Sequence, residues 1–309
     1  MVWAVLALAV ACGALLTVIR ANRFTEKAEH DTPPVGQFID VDGIPIHYIK
    51  QGSGPVLIMI HGAGGHVKDF TFDHVARFAK NFTVIAFDRP GHGYTPVLDR
   101  PGANLDRQSQ LIIQASLKLG VKHAYVLGFS YGGALALHMA THCKDFVKGL
   151  VLVSAVSMPW PGKIHLNYRA MSKPFIGPAL MAFSTAFFGD SYFRTTYATV
   201  FKPHKAPDGY LDHVGVNMSV RFRSFVENAR QLNSLYPQVI EQSKLYPMLD
   251  IPIELIHGAA DTSVPSDIHA QEFIKIVPHA NLVVVDGMGH GTHQLAITQI
   301  EAAVNAMRQ

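Results

Sequence analysis

The chain has 309 residues, 49% of them hydrophobic and 16% charged, enough to bury a sizeable core without disulfide staples. A net charge of +3, with no long Lys/Arg block, argues against nucleic-acid binding. The two cysteines, Cys12 and Cys143, cannot make a disulfide framework, and the 17 histidines include neither HExxH nor paired CxxC spacing, so neither a metal nor a cofactor is expected.

Residues 2–19 carry no charge, an apolar run near the lower limit for crossing a bilayer. Arg20, Arg23 and Lys27 follow at once, and no Lys or Arg precedes the run. The pattern reads as an N-terminal transmembrane anchor over residues 1–21. A cleaved signal is the second reading, because Ala9-Val10-Ala11 has the small-residue form of a cleavage site. The basic flank favours a cytoplasmic catalytic domain on a single-pass protein, although Met1 alone ahead of the span leaves orientation open. Residues 22–36 are polar, contain Pro33-Pro34 and read as a linker.

Residues 38–50 alternate around Asp42-Gly43, a hairpin signal. Short apolar runs then recur at 56–60, 83–87, 125–129, 150–153, 253–256 and 282–285, as strands covered on both faces require. Helical patterns at 105–119, 134–142 and 266–276 lie between them. Such alternation predicts a mainly parallel sheet with helices on both sides. The core is expected over residues 37–153 and 250–309. Residues 154–249 break the alternation and are rich in Phe, Tyr and Met, among them Tyr168, Phe175, Phe183, Phe187, Tyr192 and Phe201. They predict a helical insertion whose aromatic residues form a small core of their own or line an apolar pocket.

Chemistry is concentrated in three loops. Gly128-Phe129-Ser130-Tyr131-Gly132-Gly133 follows a predicted strand and opens a predicted helix, the context that G-x-S-x-G requires. Glycines on both sides relieve the clashes of a tight turn that projects Ser130 as a nucleophile. A serine hydroxyl needs a base. His290, in Gly287-Met288-Gly289-His290-Gly291, lies just past the last strand, with His293 as competitor. Asp261 follows the strand at 253–256, at the sheet end where open parallel sheets place their sites, and is the candidate to orient His290.

The order Ser, Asp, His along the chain resembles the α/β-hydrolase fold family in its capped branch. His61-Gly62-Ala63-Gly64-Gly65 is similar to the family's loop after the third strand, and Asp88-Arg89-Pro90-Gly91-His92-Gly93 to its turn after the fourth. The likeness runs from about Phe38 to the C terminus. It implies an α/β fold with a mainly parallel eight-stranded sheet, helices on both faces and a helical lid at 154–249. It also implies an oxyanion hole made by the backbone amides of Ala63 and Tyr131, with Gly62 and Phe129 touching the substrate. Asp88 and His92 are expected to be structural. The implied activity is hydrolysis of a small-molecule carboxylic ester, with an apolar acyl or alcohol group favoured, through an acyl-enzyme. Serine at 130 argues against the dehalogenases and most epoxide hydrolases of this fold, which carry Asp there. Gly291 stands where carbon–carbon hydrolases and cofactor-free haloperoxidases often have Trp, which weakens both. The same fold also serves acyltransferases and non-catalytic accessory proteins, and the sequence leaves both readings open.

Overall fold

The computed structural model describes residues 1–98, 104–162 and 164–307. The chain opens with one long helix, α1 (Val2–Asp31). None of its first 18-residue apolar stretch is buried, and the helix is long and apolar enough to cross a membrane by length and composition. Residues 22–31, within the stretch 22–36 expected as a linker, continue the helix. They contain good helix formers such as Ala, Arg, Glu and Lys, and nothing stops the helix until Pro33 forces Thr32 out of helical geometry. Only Ala21 and Ala28 of α1 are buried.

A hairpin follows, β1 (Gln37–Val41) and β2 (Ile44–Gln51). Asp42 and Gly43 both take positive φ, 53° and 83°, the requirement of a two-residue type I′ turn. The sheet continues with β3 (Val56–Ile60), β4 (Thr83–Phe87), β5 (Ala124–Phe129), β6 (Val147–Val153), β7 (Ile253–Gly258) and β8 (Asn281–Val285). The eight strands lie in the order β1-β2-β4-β3-β5-β6-β7-β8. β2 is antiparallel to its neighbours, and every pair from β4 through β8 is parallel. The fold is therefore α/β with a mainly parallel eight-stranded sheet.

Alternation along the strands builds two cores. Ile58, Ile60, Ile85, Phe87 and Val126 face one side, and Leu57, Met59, Val84, Ala86 and Leu127 face the other. Helices cover both: α2 (Lys68–Thr71), α3 (His74–Phe78), α4 (Leu105–Lys118) and α5 (Tyr131–His142) come before β6. α6 (Leu166–Met171), α7 (Ile176–Phe187), α8 (Asp190–Ala198), α9 (Tyr210–Val214) and α10 (Phe222–Ser243) lie between β6 and β7. α11 (Ala270–Ile276), α12 (Thr292–Leu295) and α13 (Ile297–Ala306) complete the chain. α11 starts four residues later than the pattern at 266–276 suggests, because Ile268 and His269 both bond back to Pro265 and make a tighter turn first.

The aromatic residues of the α6–α10 segment divide. Phe193 and Phe201 are buried with Tyr210, Val214 and Val216 in a third cluster, against which Tyr197 packs. Phe175, Phe183, Phe187, Phe188 and Tyr192 are exposed, which neither expectation for this segment foresees.

The polar end of α1 is clasped to the domain. The Arg221 guanidinium meets Glu29 at 2.6 Å, and the Tyr94 hydroxyl donates to the carbonyl of Thr32 at 2.7 Å. Phe24 meets Phe193 edge-on at 5.5 Å, and the Arg20 guanidinium lies 5.1 Å from the Phe187 ring centre. A glycine at 215, with φ 63°, makes room for Thr32, since any side chain there would overlap it.

Candidate active site

Ser130 ends β5 and begins α5 with φ 53° and ψ −116°, a region that L residues rarely adopt and that stores about 1–3 kcal/mol. The turn is held by Ser130 N–H on the Val153 carbonyl (3.0 Å) and by Val156 N–H on the Ser130 carbonyl (3.1 Å). The neighbouring glycines are obligatory by close approach. A side chain on Gly128 would strike the Gly132 carbonyl, and one on Gly132 would strike the Ile60 carbonyl of β3.

The structure brings the three distant candidates together. Ser130 Oγ is 3.0 Å from His290 Nε2, and His290 Nδ1 is 2.7 Å from Asp261 Oδ2. Asp261 is fully occupied on its other oxygen, where Oδ1 accepts from the amides of Ser263 and Val264, both at 2.9 Å. That bonding makes Nδ1 the donor to Asp261 and leaves Nε2 as acceptor for the serine proton. Burial alone would raise the Asp261 carboxyl. The His290 hydrogen bond and charge, with the Val264 amide, outweigh it and hold the group below its ordinary range. His293, the competitor, points elsewhere: it is buried, its Nε2 lies 3.3 Å from the Tyr210 hydroxyl, and burial pushes its pKa well down.

Phe129, expected to touch the substrate, lies between two histidines. Its ring stacks on His293 at 3.9 Å and tilts against His290 at 5.1 Å, leaving it 6% exposed. Alternation along β5 sends it to the Leu127 side, where it packs against the two imidazoles. Gly62 does come beside Ser130. A Cβ there would sit 2.9 Å from the Phe129 ring and 3.2 Å from Ser130 Cβ.

Ala63 lies in the loop after β3, and Tyr131 is the first residue of α5. Among the described residues neither amide donates to another backbone group outside the regular elements. Arg89 ties the two segments together. It is fully buried, donates from Nε to the His61 carbonyl (3.1 Å) and from Nη2 to the Gly62 carbonyl (2.9 Å), and lies 4.2 Å from the Tyr131 ring centre. Gln108 and Gln231 accept from its Nη1 at 3.1 and 2.6 Å. Burial lowers its pKa to about 10, so it remains a cation at neutral pH. From α10, Asn228 Oδ1 accepts the Gly64 amide at 2.9 Å. Asp88 anchors the adjoining turn. Burial would raise its pKa, but the bond from His47 at 2.6 Å, together with the amides of Val67 and Tyr94 (2.8 Å each), holds it low. His92, pushed down to about 3 by burial, donates to the Pro90 carbonyl.

A further buried acid sits behind this loop. Asp69 Oδ1 accepts the Tyr210 hydroxyl at 2.8 Å, and its backbone carbonyl accepts from Gln294 at 2.6 Å. Burial pushes its pKa up to about 6. Sequence reasoning does not single out Arg89, Gln108, Gln231, Asn228 or Asp69 as site residues. Only Arg89 has a local signal, its place in the Asp88–Gly93 turn. A cleft of about 640 Å³ at the opposite ends of the strands, lined by Lys122, His123 and Lys148 among others, contains none of these groups.

The profile of the alpha/beta hydrolase family matches residues 57–302. Over 254 residues the chain is 26% identical to a pimeloyl-[acyl-carrier protein] methyl ester esterase of Vibrio vulnificus, covering 79% of this chain and 91% of that protein. Over 133 residues it is 34% identical to the dihydrolipoyllysine-residue acetyltransferase component of an acetoin cleaving system from Cupriavidus necator. That match spans 42% of this chain and only 35% of the relative. Among solved structures, a membrane phospholipase A described as a bacterial virulence factor superposes with a TM-score of 0.66 at 19% identity, over 100% of this chain and 98% of that one. At this identity the likeness is one of fold.

Proposed function

Because the chain belongs to the alpha/beta hydrolase family, we propose that it is a serine hydrolase that cleaves a carboxylic ester carrying an apolar acyl or alcohol group. The observation that carries this is the unbroken chain from Asp261 through His290 to Ser130 at 2.7 and 3.0 Å. Ser130 gives its proton to His290 Nε2 as Oγ adds to the ester carbonyl. The carbonyl oxygen becomes anionic and takes hydrogen bonds from the amides of Ala63 and Tyr131. Losing one such donor costs about 2.7–4 kcal/mol in another hydrolase. His290 then passes the proton to the departing oxygen, the C–O bond breaks, and the acyl group stays on Ser130. Water adds by the same route and releases the acid.

Asp261 keeps the imidazole in the right tautomer and offsets its positive charge. Gly62, whose lack of a side chain lets the loop pass close to Phe129 and Ser130, is read as a substrate contact. Residues 154–249 are read as a lid over this site, and α1 as a single-pass membrane anchor. The ester reading is supported by a relative named for methyl ester hydrolysis.

A fluorophosphonate probe tests the nucleophile. It is expected to label the native chain and not Ser130→Ala, and equal labelling of both removes Ser130 from the mechanism. A series of p-nitrophenyl esters tests the apolar preference. Rates confined to the acetate would refute it. Product analysis with an alcohol present separates hydrolysis from acyl transfer.

A further inference from the structure

The face of α7 that looks away from the protein is the wrong one for water. Gly177, Met181, Thr185 and Ala186 turn inward, so the inward side is mostly small. Ile176, Leu180, Phe183 and Phe187 recur at i, i+4, i+7 and i+11 and form one outward stripe, 41–55% exposed. Phe175, the residue before the helix, is 88% exposed. The polar side chains of α7 are satisfied by the helix itself: Ser184 Oγ bonds the Leu180 carbonyl and Thr185 Oγ1 the Met181 carbonyl, each at 2.8 Å. A helix that is apolar all round belongs in a protein core or in lipid, and a contiguous exposed stripe of large side chains marks a contact surface.

Its neighbours indicate which contact. α7 packs beside α1. Its last residue, Phe187, stands against Arg20, the first charge after the apolar run. The next levels of α1 are already occupied by α8, with Phe193 on Phe24 and Asp190 near Lys27. α7 therefore runs back alongside the apolar part of α1, where Thr17 is partly covered and every other residue from 2 to 19 is exposed. The sequence from 151 to 189 contains no carboxylate, while Arg169 and Lys173 precede Phe175. Cations at the end of an apolar helix suit anionic lipid headgroups, toward which their flexible stems reach.

We infer that α7 lies in the interfacial layer of the bilayer that α1 enters, with its Phe175–Phe187 stripe against the acyl chains, so that the domain is seated in the membrane surface rather than hung from a tether. This rests on the reading of α1 as an anchor, and the experiment separates the two.

The chain has two tryptophans, Trp3 in α1 and Trp160. Full-length protein is reconstituted into phosphatidylcholine–phosphatidylglycerol vesicles containing lipids brominated at several acyl depths. Trp160→Phe leaves Trp3 as the reporter of the anchor. Trp3→Phe/Trp160→Phe/Phe183→Trp reports α7, and Trp3→Phe/Trp160→Phe/Leu117→Trp reports an exposed position on α4 as the aqueous reference. The indole at 183 is expected to lose more than half of its emission to bromolipid, while the one at 117 keeps its emission. An unquenched indole at 183 beside a quenched Trp3 overturns the inference and leaves the anchor standing. Failure of bromolipid to quench Trp3 removes the anchor and the inference together. An indole at 183 that is shielded from an aqueous quencher yet untouched by bromolipid means that protein, such as a second copy of the chain, covers α7, and this too overturns it. If loss of Trp160 unfolds the domain, Phe183→Cys and Leu117→Cys in the otherwise native chain give the same reading. Position 183 is expected to react much more slowly than 117 with a membrane-impermeant maleimide in vesicles, as resolved by peptide mass spectrometry, and equal rates overturn the inference.

Discussion

Asn228→Ala tests how the loop after β3 is held in place. The native Oδ1 accepts the Gly64 amide at 2.9 Å across 164 residues of sequence, and Asn228 itself is 3% exposed. Gly64 neighbours Ala63, the proposed oxyanion donor, so the bond fixes the direction of that donor. Removing the acceptor leaves an amide without its protein partner, a loss of about 1–3 kcal/mol, and Gly64 is only partly buried, which favours the lower part of that range. Complete loss of an oxyanion donor sets a ceiling of about 2.7–4 kcal/mol. The lower part, about 1–2 kcal/mol, makes the expected fall in kcat about 5- to 30-fold at about 1.36 kcal/mol per decade, with KM changed less than about twofold because the donor acts on charge that develops in the transition state. Asn228→Leu fills the space but offers no acceptor, so it separates the hydrogen bond from the cavity and is expected to lose as much. Steady-state hydrolysis of a p-nitrophenyl ester, with the melting temperature measured alongside, reads both variants. Native kcat in two folded variants would refute the argument that this amide positions the loop.

Two other changes probe the buried carboxylates. Asp261→Asn presents an NH2 to His290 Nδ1, forces the tautomer that points a proton at Ser130, and is expected to lower kcat by about 10⁴ with little change in melting temperature; a loss under tenfold would contradict the role given to Asp261. Asp69 takes up its proton near pH 6 when folded and near 3.8 when unfolded, so the folded chain binds the extra proton in between. Native stability relative to Asp69→Asn is therefore expected to decline by up to about 3 kcal/mol as pH rises from 4 to 6. Urea titrations of detergent-solubilised protein across that window check this, and a pH-independent difference refutes it.

The strands are legible in the sequence because burial on both faces leaves short, nearly continuous apolar runs, and the three loops because glycine is dense where the backbone passes close to another segment. Gly128 and Gly132 are examples, each facing a carbonyl that no side chain could share. The supporting groups are not legible. Asn228 and Gln231 sit on a helix more than a hundred residues from the loops they bond, and nothing in their local pattern distinguishes them from a solvated face. Asp69 likewise carries no mark of its burial, since Tyr210 and Gln294 reach it only in the folded chain. The stretch after residue 21 reads as a linker on polarity alone. Its helix propensity and the late proline decide instead that it is helical. Phe129 escapes local reading because a residue next to a nucleophile can face either side of the strand, and the pleat sends this one beneath the histidines.

The clasp among Glu29, Thr32, Tyr94 and Arg221 makes the first helix a shaft with the domain keyed to it. Rotation about the shaft is locked, so the heading of the Ser130 hydroxyl is set by the phase of a helix that begins at Val2. One residue added to that helix on the N-terminal side of the clasp turns the domain relative to the start of the helix by about 100° and shifts it by about 1.5 Å along the axis. Helix length here is a dial for aim as well as for reach, and a spacer of a full turn is a far milder change than a spacer of two residues.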